Sequence, residues 1–158
     1  MDQHFDRNLG WLLHDVARLM RKRFEQQARA SSLGLTRAQA AVIAHLARQE
    51  GSNQASLAQI LEIEPITLVR LLDRLEEMGL VERRPDPNDR RARLLSLTPA
   101  AHAMLMRIRS LGATVRDEAC AGISAERREA LIDALIEMKA NLVADLPAGD
   151  ETRRAAHG

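Results

Sequence analysis

The chain has 158 residues, 46% of them hydrophobic and 28% charged, which suits one folded domain or one unit completed by a partner chain, and not a disordered segment. Its 23 basic and 22 acidic residues leave a net charge of +1, so any anion-binding surface must be a local patch. Aromatic residues are limited to Phe5, Trp11 and Phe24, which argues against a base-stacking surface for single-stranded nucleic acid. No apolar run approaches the roughly 18–20 residues of a membrane span, and the opening Met-Asp-Gln-His-Phe-Asp is too polar for a signal peptide. The single cysteine, Cys120, excludes an internal disulfide and a thiolate zinc cage. The expected compartment is the cytoplasm.

Leu9, Leu12, Leu13, Val16, Leu19, Met20 and Phe24 recur at helical spacing, predicting a long amphipathic helix from about Asn8 to Ser31. Ser32-Leu33-Gly34 breaks it. Thr36, with Gln39 three residues on, has the capping-box pattern for a second helix that stops before Gly51. Gly51 to Gln54 reads as a turn, and Ser56 as the cap of a short helix from Leu57 to Leu61. Pro65 suits the first turn of the next helix, where its missing N–H costs nothing, and Gly79 suits its end. Leu80–Arg84 and Arg90–Leu97 are short extended runs around the breakers Pro85-Asp86-Pro87-Asn88-Asp89, which together predict a β-hairpin. Thr98, followed by Pro99, is read as the cap of a long helix that Gly122 ends. Ser124 then opens a last helix carrying Leu131, Leu135, Met138 and Leu142. Residues 147–158 read as a loose polar tail.

Two helices joined tightly around Ile63-Glu64 have helix-turn-helix spacing, and the hairpin after them makes the winged form. The fold class expected is therefore mainly α with a small β-hairpin wing. Residues 36–98 form the winged unit. Residues 8–32 and 99–146 are too long and too apolar to cap that unit alone, so they are expected to join two copies into a homodimer. In the second helix of the pair, Leu68, Leu71, Leu72 and Leu75 should pack inward. Thr67, Arg70 and Arg74 lie at i, i+3 and i+7 toward the helix start, where arginine can read guanine in the major groove. From Glu64 to Gly79 two arginines face four acids, so phosphate affinity must come largely from elsewhere. Arg83, Arg84, Arg90, Arg91 and Arg93 crowd the hairpin, and an arginine at such a tip can enter a narrow minor groove. Asp86 and Asp89 are placed to support that loop.

On Leu57–Val81, the wing stretch Arg83-Arg84-Pro85-Asp86-Pro87-Asn88-Asp89-Arg90-Arg91-Ala92-Arg93 and the Leu95-Ser96-Leu97-Thr98 that follows, the chain resembles the MarR family of bacterial transcription regulators, especially its SlyA-like branch. The resemblance implies a homodimeric winged helix-turn-helix protein that binds a pseudo-palindromic duplex operator, usually represses, and often releases DNA when a small ligand binds. By position, Thr67 and Arg70 then resemble recognition-helix contacts and Arg91 the minor-groove arginine. Asp89 and Arg90 belong to the family's wing signature. Pro65-Ile66 departs from the polar residues that many relatives carry there. The resemblance further implies a cleft between the terminal helices and the winged unit, taking aromatic acids or related compounds such as bulkier thioesters. Trp11, His14 and Arg18 on one face of the first helix, with His45 on the second, are the candidate ligand residues; the simpler alternative has Trp11 in a dimer core.

Nothing in the chain points to catalysis, a metal or a cofactor. It has no HExxH, Walker loop, GxGxxG or GxSxG, and its five histidines form no i, i+4 pair. Cys120 is read as structural, because Asp117 and Glu118 do not make the electropositive setting of an oxidant-sensing thiol. The competing reading for the whole chain is a protein–protein interaction module on a winged-helix scaffold without specific DNA binding.

Overall fold

The structure, a computed structural model, describes residues 7–87 and 93–144. Its elements run α1 (Leu9–Ala30), α2 (Arg37–Leu46), β1 (Ser52–Asn53), α3 (Gln54–Ile60), α4 (Pro65–Glu77), β2 (Val81–Pro85), β3 (Arg93–Leu97), α5 (Ala101–Ala119) and α6 (Ala125–Ala144). They divide into two units, one reaching Ala119 and the other starting at Cys120. No helix among the described residues is long and apolar enough to cross a membrane.

Local chemistry sets most helix borders of the first unit. Asn8 accepts a hydrogen bond from the Trp11 N–H and opens α1. Thr36 and Gln39 form the reciprocal capping box, with the Gln39 N–H on Thr36 Oγ1 at 3.2 Å and the Thr36 N–H on Gln39 Oε1 at 2.9 Å. Pro65 stands at the start of α4. Three helices end by one device, a residue of positive φ whose successor donates back to the carbonyl five residues earlier. Leu33 N–H bonds Ala28, Ile63 N–H bonds Ala58 and Leu80 N–H bonds Leu75. At the third of these ends the positive φ belongs to Gly79, but at the first two it falls on Ser32 (φ 48°) and Glu62 (φ 52°). The end of α1 is reinforced by the Arg107 guanidinium, which donates to the carbonyls of Ser31 and Ser32.

Two predicted caps lie elsewhere. Asn53, not Ser56, caps α3; its side chain accepts the Ser56 N–H at 2.8 Å. Thr98 does not turn its hydroxyl into the following helix. It donates to the Gly79 carbonyl at 2.5 Å while its N–H bonds Leu80, so a turn intervenes and α5 begins at Ala101 rather than at Pro99. Ser124 does cap α6, accepting the Arg127 N–H at 3.3 Å. Cys120, expected within the long helix, is half-buried just beyond its end, in the turn that Gly122 completes at φ 79°.

The expected two-stranded hairpin is part of a three-stranded antiparallel sheet of order β1-β3-β2. The predicted turn at Gly51–Gln54 contains β1: Ser52 faces Leu95 and Asn53 faces Leu94, and the Gly51 N–H bonds Leu95. The other register runs from Val81 opposite Leu97 to Pro85 opposite Arg93. The hairpin tip, with Asn88, Asp89, Arg90, Arg91 and Ala92, lies outside the described residues, as does the 147–158 tail. Ile43, Leu46, Leu57, Leu68, Leu72, Leu75, Val81 and Leu95 are buried together in one core, drawn from α2, α3, α4 and the sheet.

Helix α1 lies against α2 and α5. Arg23 donates to Glu118 (Nε to Oε2, 2.5 Å) and Gln27 adds a bond to the same carboxylate. The Arg23 hydrogen bond holds the Glu118 carboxyl below its ordinary range. Along α1 the apolar stripe Leu9, Leu12, Leu13, Val16 and Leu19 is exposed. In the second unit, Leu131, Ile132, Leu135, Ile136, Leu142 and Val143 of α6 are exposed as well.

A side chain at positive φ costs about 1–2 kcal/mol that glycine avoids, partly offset by glycine's greater freedom when unfolded. The Glu62→Gly variant is therefore expected to unfold at higher urea, with a gain of about 0.5–1 kcal/mol. Unchanged or lower stability would show that the glutamate side chain itself holds the turn before α4.

Candidate nucleic-acid interface

Leu68, Leu72 and Leu75 of α4 are buried and Leu71 is half-buried, as their spacing predicted. Their burial turns Thr67, Arg70, Asp73, Arg74, Glu76 and Glu77 to solvent. Thr67 and Arg70 share the open face of the N-terminal half. Among the described residues Arg70 has no ion-pair partner. Arg74 differs: its guanidinium bonds Glu77 one turn on, at 2.9 Å. Ile66, in the first turn, is exposed beside Thr67.

The acids of α4 are answered by one residue of the arginine-rich hairpin. Arg83, on β2, is only 20% exposed; it bonds Asp73 at 2.6 Å and also Glu76. Strand alternation explains its direction. Val81, Arg83 and Pro85 share one face of β2, Val81 is buried, and Arg83 pairs with the buried Leu95. Its stem therefore lies on the core side and its head reaches α4. That alternation was the signal available in the sequence. Three of the four acids between Glu64 and Gly79 are thus paired with arginine, and Arg70 is left open.

Arg84 points from the opposite face, is exposed and bonds Glu82. Arg93 is exposed at the start of β3, opposite Pro85. Asp86 is half-buried immediately after β2. Arg90, Arg91 and Asp89 fall in the undescribed tip. Residues Thr67, Arg70, Arg84 and Arg93 are thus carried by two neighbouring parts of one unit, a helix and the sheet tied to it through Arg83.

Residues 33–92 match the family model described as MarR family. The chain is also similar to the solved transcriptional regulator PA3341, at 37% identity and a TM-score of 0.73 over 87% of this chain and 99% of that one. It is similar to the transcriptional repressor CouR bound to a 23-mer DNA duplex, at 31% identity and a TM-score of 0.70 over 85% and 94% of the two chains. A mutant MarR from E. coli complexed with operator DNA aligns at 29% identity and a TM-score of 0.67, over 82% and 92%. This chain belongs to the MarR family. MarR-family members are winged-helix, DNA-binding transcription regulators and not enzymes, and the helix pair with its small sheet is that winged helix.

The candidate ligand residues of this MarR-family chain are spread out. Trp11 and His14 meet edge to face at 6.3 Å between ring centroids on the exposed face of α1. Arg18, one turn on, bonds Asp15 at 3.0 Å. His45 is half-buried on α2; its Nε2 is enclosed and has no hydrogen-bond partner among the described residues. None of the four lines the apolar cavity of about 370 Å³ between α1, α2 and α5. Its walls include Met20, Phe24, Ala40, Ala41, Ala44, Ile108 and Val115, with Arg21 and Arg37. A second cavity of about 360 Å³ shares Arg21, Arg37 and Ala41 and reaches Leu61, Glu62 and Ile63, the turn before α4. Arg37 bonds Glu25 at 3.0 Å. Helical spacing groups the apolar positions of α1, but which of them face an opening depends on the packing of α2 and α5.

Partly buried ion pairs contribute more than exposed ones, and a double-mutant cycle isolates the pair. The Arg83→Ala and Glu76→Ala changes are expected to show a coupling of about 1 kcal/mol in urea unfolding. Additive effects would mean that solvent screens the contact and that it does not tie the sheet to α4.

Proposed function

We propose that the protein is a homodimeric repressor that reads a pseudo-palindromic duplex operator and releases it when a small aromatic acid or related thioester binds. The observation that carries this reading is the open face of α4, where Thr67 and the unpaired Arg70 stand clear of the acids that Arg83 and Arg74 hold. Thr67 and Arg70 enter the major groove by the N-terminal half of α4. Arg74 follows one turn later, exchanging Glu77 for the DNA. Arg84, Arg90, Arg91 and Arg93 supply phosphate and minor-groove contacts from the wing, with Asp86 and Asp89 fixing its loop. The helix and wing sequence supports placement in the SlyA-like branch.

Dimerisation is assigned to residues 8–32 and 99–146, and the exposed apolar stripes of α1 and α6 support a second copy as their cover. Two recognition helices then meet half-sites whose centres lie about 10 bp apart or slightly more. The effector is assigned to the apolar cavity, whose size suits a small aromatic ligand, with Arg21 or Arg37 taking the carboxylate. Trp11, His14, Arg18 and His45 remain an alternative set along the same helices. Because the adjoining cavity reaches Leu61–Ile63, an anion drawing on Arg37 acts beside the turn that sets α4.

Selection from a random duplex pool at near-physiological salt is expected to enrich an inverted repeat. Arg70→Ala should cost about 1–3 kcal/mol and relax one base position per half-site; a uniform loss over all sequences would remove Arg70 from base reading. No enrichment by folded protein, at low salt as well, would favour the interaction-module reading. With the operator in hand, aromatic carboxylates are expected to release the wild type but not Arg37→Ala. Release lost instead in Arg18→Ala would move the site to the Trp11 face.

A further inference from the structure

Ile66 is the one large apolar side chain that α4 leaves exposed, at 61%. Single exposed aliphatic residues are ordinary on protein surfaces. What distinguishes Ile66 is its position. It adjoins Thr67 and stands one helical turn before Arg70, on the stretch of α4 where acids are absent between Glu64 and Asp73. Asp73 is itself held by Arg83. Folding gains little from it there, since a β-branched residue in an exposed first turn adds neither burial nor helix propensity.

We propose that Ile66 packs against the C5-methyl of a thymine in each operator half-site and sets a thymine preference at that base pair. The inference rests on the DNA-reading function proposed above. In the major groove only thymine offers an apolar group; the other bases present donors and acceptors alone. An isoleucine pressed on those groups strips their water without replacing the hydrogen bonds, which is unfavourable. Against a methyl it buries apolar area on both sides. The spacing sets where the thymine lies. One helical turn advances about 5.4 Å and one base step about 3.4 Å, so the thymine falls one or two steps from the base that Arg70 reads. The isoleucine and the arginine thus form a mixed reader in which one side chain selects a methyl and the other a pair of acceptors.

The test uses the full-length protein and its selected operator. Each thymine is replaced singly by deoxyuridine, which removes the methyl and leaves every hydrogen-bonding atom in place. Wild-type protein is expected to lose affinity about fourfold at one thymine per half-site, within two steps of the position relaxed by Arg70→Ala. Ile66→Ala is expected to bind thymine and uracil equally there, with unchanged thermal unfolding, and Ile66→Val to keep the discrimination. Indifference of the wild type to uracil at every position, or the same penalty in Ile66→Ala, overturns the inference while leaving the DNA-reading function standing. Failure of the wild type to enrich any operator overturns both.

Discussion

The burial of Leu68, Leu72 and Leu75 is the constraint on which the exposed face of α4 depends. They lie at i, i+4 and i+7, and each contributes about 2 kcal/mol when fully withdrawn from water. Rotating α4 by a third of a turn would expose them and press Asp73 or Arg74 toward the core. Apolar packing, rather than any polar contact, therefore decides that Ile66, Thr67 and Arg70 face outward. Pro65 and Gly79 bound the helix, so its length is set by backbone chemistry and its rotation by its leucines.

Electrostatics then refines what packing presents. Summed along the sequence, α4 is an acidic helix and a poor candidate for approaching phosphate. In the fold its acids are not available as a group. Asp73 and Glu76 belong to Arg83, and Glu77 to Arg74. The neutralising charge comes from the strand that follows, so the same arginine that fastens the sheet to the helix also removes repulsion from it. A net charge near zero is compatible with a polyanionic partner when the opposite charges are sorted in this way.

Much of this was legible from residue order because the signals are local. Asn8, the Thr36–Gln39 box, Pro65, Gly79 and Ser124 act within four residues of themselves, and the inward leucines of α4 follow from helical period alone. The failures are non-local. Ser52-Asn53 is a polar dipeptide that reads as a turn until β3 lies beside it. Thr98 carries a capping signature, but the carbonyl of Gly79 competes for its hydroxyl. Arg83 looked like one basic residue among five, and only the proximity of α4 separates it from Arg84. The cavity between α1, α2 and α5 is a property of three helices together, so its walls cannot be read from the residues of α1 alone. The wing arginines Arg90 and Arg91 stand on motif and resemblance alone.

The sheet order carries a consequence for how the protein is made. Its central strand is β3, the last of the three to be synthesised, and it joins β1 and β2. Ser52 must therefore wait for Leu95, and Val81 for Leu97. Until that segment leaves the ribosome, α2, α3 and α4 lack Leu95, a fully buried member of their core. Closure of the sheet is accordingly expected to come late in synthesis, as a contact between segments far apart in sequence. A nascent chain cut short between Glu77 and Arg93 would hold α4 in sequence but lack the central strand of the sheet beside it.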